Sequence, residues 1–126
     1  MASSVIKMIS IPSPTSYSLL WTNPNPSDNF AGQKVTINNL NSYDFLLIVA
    51  RGYKTGTRYR ETFCMYSTRQ SAMFDIANGQ ITLRTFTPSP TGITFGDCNY
   101  YASYGGSSST GNDRIVPHTI YGLKLS

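Results

Sequence analysis

Residues 71–86 read SAMFDIANGQITLRTF, with Asn78-Gly79 standing between two β-prone runs. Asn-Gly accepts the positive φ required at both central positions of a type I′ turn, whose twist matches that of paired strands. The stretch therefore predicts a hairpin, 71–77 against 80–86. On the returning run Ile81, Leu83 and Thr85 alternate against Thr82, Arg84 and Phe86, the period of a strand with one wet face.

The same period recurs on the N-terminal side. Tyr59, Glu61, Phe63 and Met65 share one face, part of which is expected to point inward, and Arg60, Thr62, Cys64 and Tyr66 share the other. A short connection containing Gly52 and Gly56 joins 51–53 to 58–66 as a second hairpin. Residues 43–50, YDFLLIVA, form the most apolar run and predict a central strand covered on both faces. In 33–38, Val35 and Ile37 oppose Lys34, Thr36 and Asn38. Residues 17–22, YSLLWT, are β-prone and stop at Asn23-Pro24-Asn25-Pro26-Ser27-Asp28, where each proline removes a ladder donor. Residues 1–16 read as a short strand around Val5, Met8 and Ile11 followed by an extended arm broken at Pro12 and Pro14.

On the C-terminal side, 93–95 and 99–104 predict separate short strands around Gly96-Asp97. The Gly/Ser-rich stretch 105–113 predicts an exposed, mobile loop. RIVPHTIYGLKL, 114–125, is the last strand, with Pro117 placing it at a sheet edge or a bulge.

Composition supports this pattern. Charged residues make up 13% of the 126, about half the roughly 25% usual in soluble domains, and there is one glutamate, so exposed helices lack their usual material. With 40% hydrophobic residues, including 9 Tyr, 6 Phe and 1 Trp, the chain has enough apolar surface to bury, which argues against disorder. The expectation is an all-β fold, a single-domain antiparallel β-sandwich or jelly roll of about nine short strands over 1–126. No apolar run approaches the ~20 residues of a membrane span, and the N-terminus lacks the apolar core of a secretory signal. Synthesis in a cytoplasm without a signal peptide is expected, and Cys64 and Cys98 are expected as free, buried thiols.

The net charge of +4 raises nucleic acid as a partner. Apart from Arg51, Lys54, Arg58 and Arg60 the cations are scattered, whereas a phosphate-tracking surface needs a stripe of them, so this reading is disfavoured. Two-carboxylate chemistry would pair Glu61 with Asp44, Asp75 or Asp97, none of which stands in a motif. His118 is the single histidine, and with Cys64 and Cys98 it lacks the paired spacing of a zinc site. No catalytic residue, metal or cofactor is expected. Candidate ligand-binding residues are Tyr53, Arg58 and Arg60, which interleave rings and cations, and Tyr100, Tyr101 and Tyr104. The contact surface would then lie on loops 22–30, 52–60 and 99–112. Against it stands a solvated hairpin tip and a row of tyrosines lining a core edge.

Three segments, LLWTNPNPSDNFAGQKVTINNLNSYDFLLIVAR (19–51), GITFGDCNYY (92–101) and RIVPHTIYGLK (114–124, with Pro117 and Tyr121-Gly122), occur in this order. Together they resemble the C-terminal β-rich domain of tail and minor structural proteins of bacteriophages infecting Gram-positive bacteria. The resemblance implies a virion component at the tail tip or fibre, concerned with host attachment, and with the tyrosine-rich loops the expected ligand is cell-surface carbohydrate. It further implies a homotrimer with other virion proteins as partners, and it assigns no binding residues; no membrane partner is expected, from the lack of a long apolar run. The alternative is a purely architectural virion protein, a capsid decoration or tail-assembly module marked by an exposed apolar patch, with strands 5–11 and 115–125 pairing across subunits.

Overall fold

The computed structural model describes residues 14–53, 60–77, 80–102 and 108–125; the expected strand at 5–11, the Asn78-Gly79 turn itself, Arg58 and Tyr104 lie outside the described residues. Within them run nine strands: β1 Pro14–Thr22, β2 Gln33–Thr36, β3 Phe45–Tyr53, β4 Arg60–Tyr66, β5 Ser71–Ala77, β6 Gln80–Ser89, β7 Gly92–Ala102, β8 Ser108–Thr110 and β9 Arg114–Leu125. A single 3-10 turn, Leu40–Ser42, precedes β3.

Every pairing is antiparallel. One sheet has the order β1-β9-β3-β4 and the other β2-β7-β6-β5, with β8 added on β7. The two sheets close face to face over one buried cluster, the all-β sandwich anticipated from the period-2 pattern. Leu46, Ile48 and Ala50 of β3 and Val116 and Ile120 of β9 meet Met73, Phe86, Ile93 and Phe95 of the other sheet. Both predicted hairpins form, with Arg51 opposite Arg60 and Ala77 opposite Gln80.

Several expectations change in three dimensions. β3 is central, but only Leu46, Ile48 and Ala50 are buried; Phe45, Leu47 and Val49 are half-buried, because a sandwich covers one side of each sheet. β9 lies between β1 and β3, not at an edge, and Pro117 is accommodated by a bulge: Val49 pairs with Thr119 while Ala50 pairs with Pro117. The pieces expected at 93–95 and 99–104 are joined as far as they are described, 93–95 and 99–102 lying in one strand, since Gly96-Asp97 is a bulge that lets β7 continue to Ala102 beside β6. Residues 14–16, read as part of an arm, already belong to β1, and within 105–113 residues 108–110 pair with β7 as β8. Cys98 is buried as expected, but Cys64 is exposed on the outer side of β4.

On β6 the dry face is the one carrying Thr82, Arg84 and Phe86. Arg84 is fully buried. Its Nε donates to the Ile115 carbonyl at 2.9 Å, Nη1 to that of Gly96 at 2.7 Å and Nη2 to that of Arg114 at 3.1 Å. The guanidinium also sits 5.3 Å from the Phe30 ring. Burial lowers the Arg84 pKa, yet arginine stays charged in proteins, so these carbonyl dipoles stand in for the lost water. Ile115 takes φ 43°, a left-handed conformation costly for a β-branched residue.

Candidate functional site

The strand ends determine which loops meet. Tyr53 pairs with Arg114, Gln80 pairs with both Ala77 and Ala102, and Arg114 Nη1 donates to Gln80 Oε1 at 2.8 Å. The described ends of the predicted contact segments, Tyr53 on β3 and Ala102 on β7, therefore lie at the same end of the sandwich as Ala77 and Gln80. The 22–30 loop flanks that end and is tied to it by Phe30 N–H donating to the Asn112 carbonyl (2.9 Å). Asp97 adds a second tie, accepting from Gly32 N–H at 2.8 Å and from Asn112 Nδ2 at 3.0 Å. These donors, the Gly32 amide first, hold the Asp97 carboxyl below its ordinary pKa.

Of the candidate residues, the described tyrosines of β7 do not share one surface. Tyr100 and Tyr101 are consecutive on β7 and so face opposite sides of the sheet. Tyr100 lies opposite buried Thr82, with the Arg114 guanidinium 3.8 Å from its ring centroid. Tyr101 pairs with Ile81 on the outer side. Tyr53 and Arg60 occupy the ends of β3 and β4 by backbone alone.

Of the carboxylates, Glu61 and Asp75 meet across the gap between the two sheets and share a hydrogen bond. Burial first, then the Asp75 charge and that hydrogen bond, push the Glu61 carboxyl above its ordinary pKa. Asp44 is at the far end, where Oδ2 accepts the Leu125 N–H at 2.9 Å. Among the described residues no three His, Cys, Asp or Glu side chains gather as a metal site, and no helix is long and apolar enough to cross a membrane.

Where β1 ends, the expected contact loop 22–30 is shaped by Asn23, a residue not among the candidates. Asn23 is buried and acts as a clamp: its backbone N–H donates to the His118 carbonyl and its Nδ2 to the Pro117 carbonyl, both at 2.8 Å, while Oδ1 accepts the Asn25 N–H at 2.8 Å. The β9 bulge thus holds the Asn-Pro-Asn-Pro loop in shape. Phe30 folds under it, edge-on to Trp21 (6.1 Å, 70°) and to Phe95 (5.5 Å, 89°). Between loop and strand lies a groove of about 170 Å³ with half-buried Trp21 as its aromatic wall and exposed Asn25, Asp28, Asn29 and Gln33 around it. An indole edge or face beside several amides suits a ligand with apolar C–H faces and many hydroxyls. The signal was the single tryptophan followed at once by the Asn/Pro loop, legible as a loop but not as a walled groove.

A larger groove of about 520 Å³ lies between the edge strands β4 and β5 and is lined by Phe45, Phe63, Met65, Tyr66 and Phe74. It is wide and mainly apolar, with few polar groups to orient a sugar. No family model, curated protein or solved structure matches the chain.

Proposed function

We propose that the protein is a bacteriophage virion component, a tail-tip or fibre module that attaches to carbohydrate on the host surface. The observation that carries the binding half of this reading is the Trp21 groove, which combines an aromatic wall with Asn25 and Asn29 on a loop clamped by Asn23 and with Gln33 at the start of β2. The virion half rests on the resemblance of 19–51, 92–101 and 114–124 to phage tail proteins. Asp28 is the one charged side chain lining the groove, so neutral or amino sugars fit it better than anionic ones.

Trp21 is the only tryptophan, so its fluorescence reports on the groove without labelling. Titration with neutral oligosaccharides from a Gram-positive cell wall is expected to give a saturable emission change, weakened at least tenfold by Asn29→Ala with Gln33→Ala. Tyr101→Ala, on the outer side of the other sheet, should leave it unchanged. Absence of any saturable change at millimolar sugar would overturn the carbohydrate reading. The architectural reading, a virion protein that binds only other virion proteins, is favoured by a different observation, the exposed Tyr17, Leu19 and Tyr66 on the outer side of the β1-β9-β3-β4 sheet.

A further inference from the structure

Two sheet edges lie side by side along the groove of about 520 Å³. β4 ends one sheet and β5 the other, and neither has a second strand partner among the described residues. Such edges present unpaired N–H and C=O groups, and here they border Phe63, Met65, Tyr66 and Phe74, with no charged side chain in the lining. Charges stand at the two ends: Arg69 stacks on Tyr66 at 5.4 Å, and the Glu61–Asp75 pair lies at the opposite end. A second groove, of about 350 Å³, continues the first, since Phe45 and Tyr66 line both, and it reaches Asp44 and Leu125. Leu125 is the register partner of Pro14, the first residue of β1. The path therefore opens where residues 1–13 join the fold.

We propose that residues 1–13 of the same chain follow this path, with 3–8 added to β5 as an antiparallel strand that closes the gap between the two sheets. Direction is the first observation that selects this occupant. The segment leads up to Pro14 at the end of the sandwich that carries Tyr66 and Ser71, and β5 runs away from that end, so the pairing is antiparallel like every other in the fold. Length is the second. β4 lies three strand spacings from β1 and the other sheet ~10 Å beneath, a diagonal of about 17 Å. At ~3.3 Å per residue, roughly five residues make that crossing, 9–13, and the first eight remain for the groove. Composition is the third. Val5, Ile6, Met8, Ile9 and Ile11 place five apolar residues, four of them β-branched, in a run of seven, which suits a strand laid over an apolar groove. Pro12, which cannot donate to a ladder, falls in the crossing. Lys7 is the one charged side chain in 1–13 and is opposite in sign to Asp75 and Glu61, at whose end of the groove the segment begins. Attachment at Pro14 also gives the segment a local concentration of order millimolar, which a separate chain lacks. The inference is independent of the sugar groove, which lies between Trp21 and Gln33.

The test uses the full chain and hydrogen exchange read by NMR. Amides of 71–77 that are not bonded to β6 are expected to be protected in the parent. In the double variant Ile6→Asp with Met8→Asp they should exchange at least tenfold faster, while the amides of β3 keep the parent rates. Leu19→Asp, which places a charge on exposed β1 instead, should exchange like the parent. A second measurement needs no variant: the Met8 methyl is expected to show Overhauser contacts with the ring of Phe63 or Phe74, and in a mixture of labelled and unlabelled protein these should stay within one chain. Equal exchange in the parent and a folded double variant overturns the proposal, as does the absence of any contact from Met8 to either ring. Met8 contacts that run between labelled and unlabelled chains overturn it as well, because the segment then lies on a second copy.

Discussion

Arg84 Nη1 donates to the Gly96 carbonyl at 2.7 Å, so a cation on β6 closes the bulge of the neighbouring strand β7. The same guanidinium holds the carbonyls of Arg114 and Ile115, where β9 begins with a left-handed residue. One buried side chain thus joins β6, β7 and β9, and the bulge it closes carries Asp97, which ties down the loop bearing the groove.

Arg84→Lys keeps the charge and loses the fork. A single ammonium on a flexible stem cannot reach three carbonyls that diverge, and each buried acceptor left unmade costs about 1–3 kcal/mol. A loss of about 3 kcal/mol is expected, read as the shift of the urea midpoint with an unchanged slope. A loss below about 0.5 kcal/mol would show that the buried fork is not a principal tie between the sheets.

Glu61 and Asp75 make stability depend on pH in a defined direction. The fold favours the protonated Glu61, whose pKa lies above the ordinary 4.5. Its contribution is therefore complete below pH 4.5 and is lost as pH rises through the raised native value. Glu61→Gln removes that dependence. The variant is expected to be more stable than the parent at pH 7, by less than about 1 kcal/mol because the site is partly solvated, and the difference should vanish below pH 4. Melting temperatures of both proteins from pH 3 to 8 check this; parallel curves would refute it.

Gly92 opens β7 at φ 155°, and a Cβ there would stand 2.1 Å from the Val35 carbonyl oxygen and 3.1 Å from Thr36 Cα. Both neighbours are backbone of the paired strand β2, so relief requires β2 to move. Gly92→Ala is expected to cost about 2–3 kcal/mol, measured by equilibrium denaturation. Earlier hydrogen exchange at Val35 than at Ile48 would localise the damage to β2.

The two thiols should separate by reactivity. Cys64 is exposed, whereas Cys98 is buried and burial pushes its thiol up to about 11. A thiol reagent at pH 8 is expected to modify Cys64 in the folded chain and Cys98 only in denaturant. Equal rates at both cysteines in the folded protein would contradict the burial of β7.

Strand positions were legible because their causes are local. The alternation around Val35 and Ile37, the turn chemistry of Asn78-Gly79 and the apolar run at 45–50 all act within a few residues. The groove was only half legible: Asn23-Pro24-Asn25-Pro26 reads as a loop from its prolines. Its wall is Trp21 and its clamp is two carbonyls of β9, about 95 residues away in sequence, as the Asn23–Pro117 separation of 94 shows.

By itself the sequence determined the class of fold and the order of the strands along the chain, since a period of two and breakers at regular intervals admit little else. Tertiary structure decided which side of each strand is dry. Along β6, alternation allowed either face inward, and hydrophobicity alone favours Ile81 and Leu83. The chain buries Thr82, Arg84 and Phe86 instead, because the bulge at Gly96 and the turn into β9 present carbonyls that only a buried donor can satisfy. That demand exists only once strands distant in sequence lie side by side.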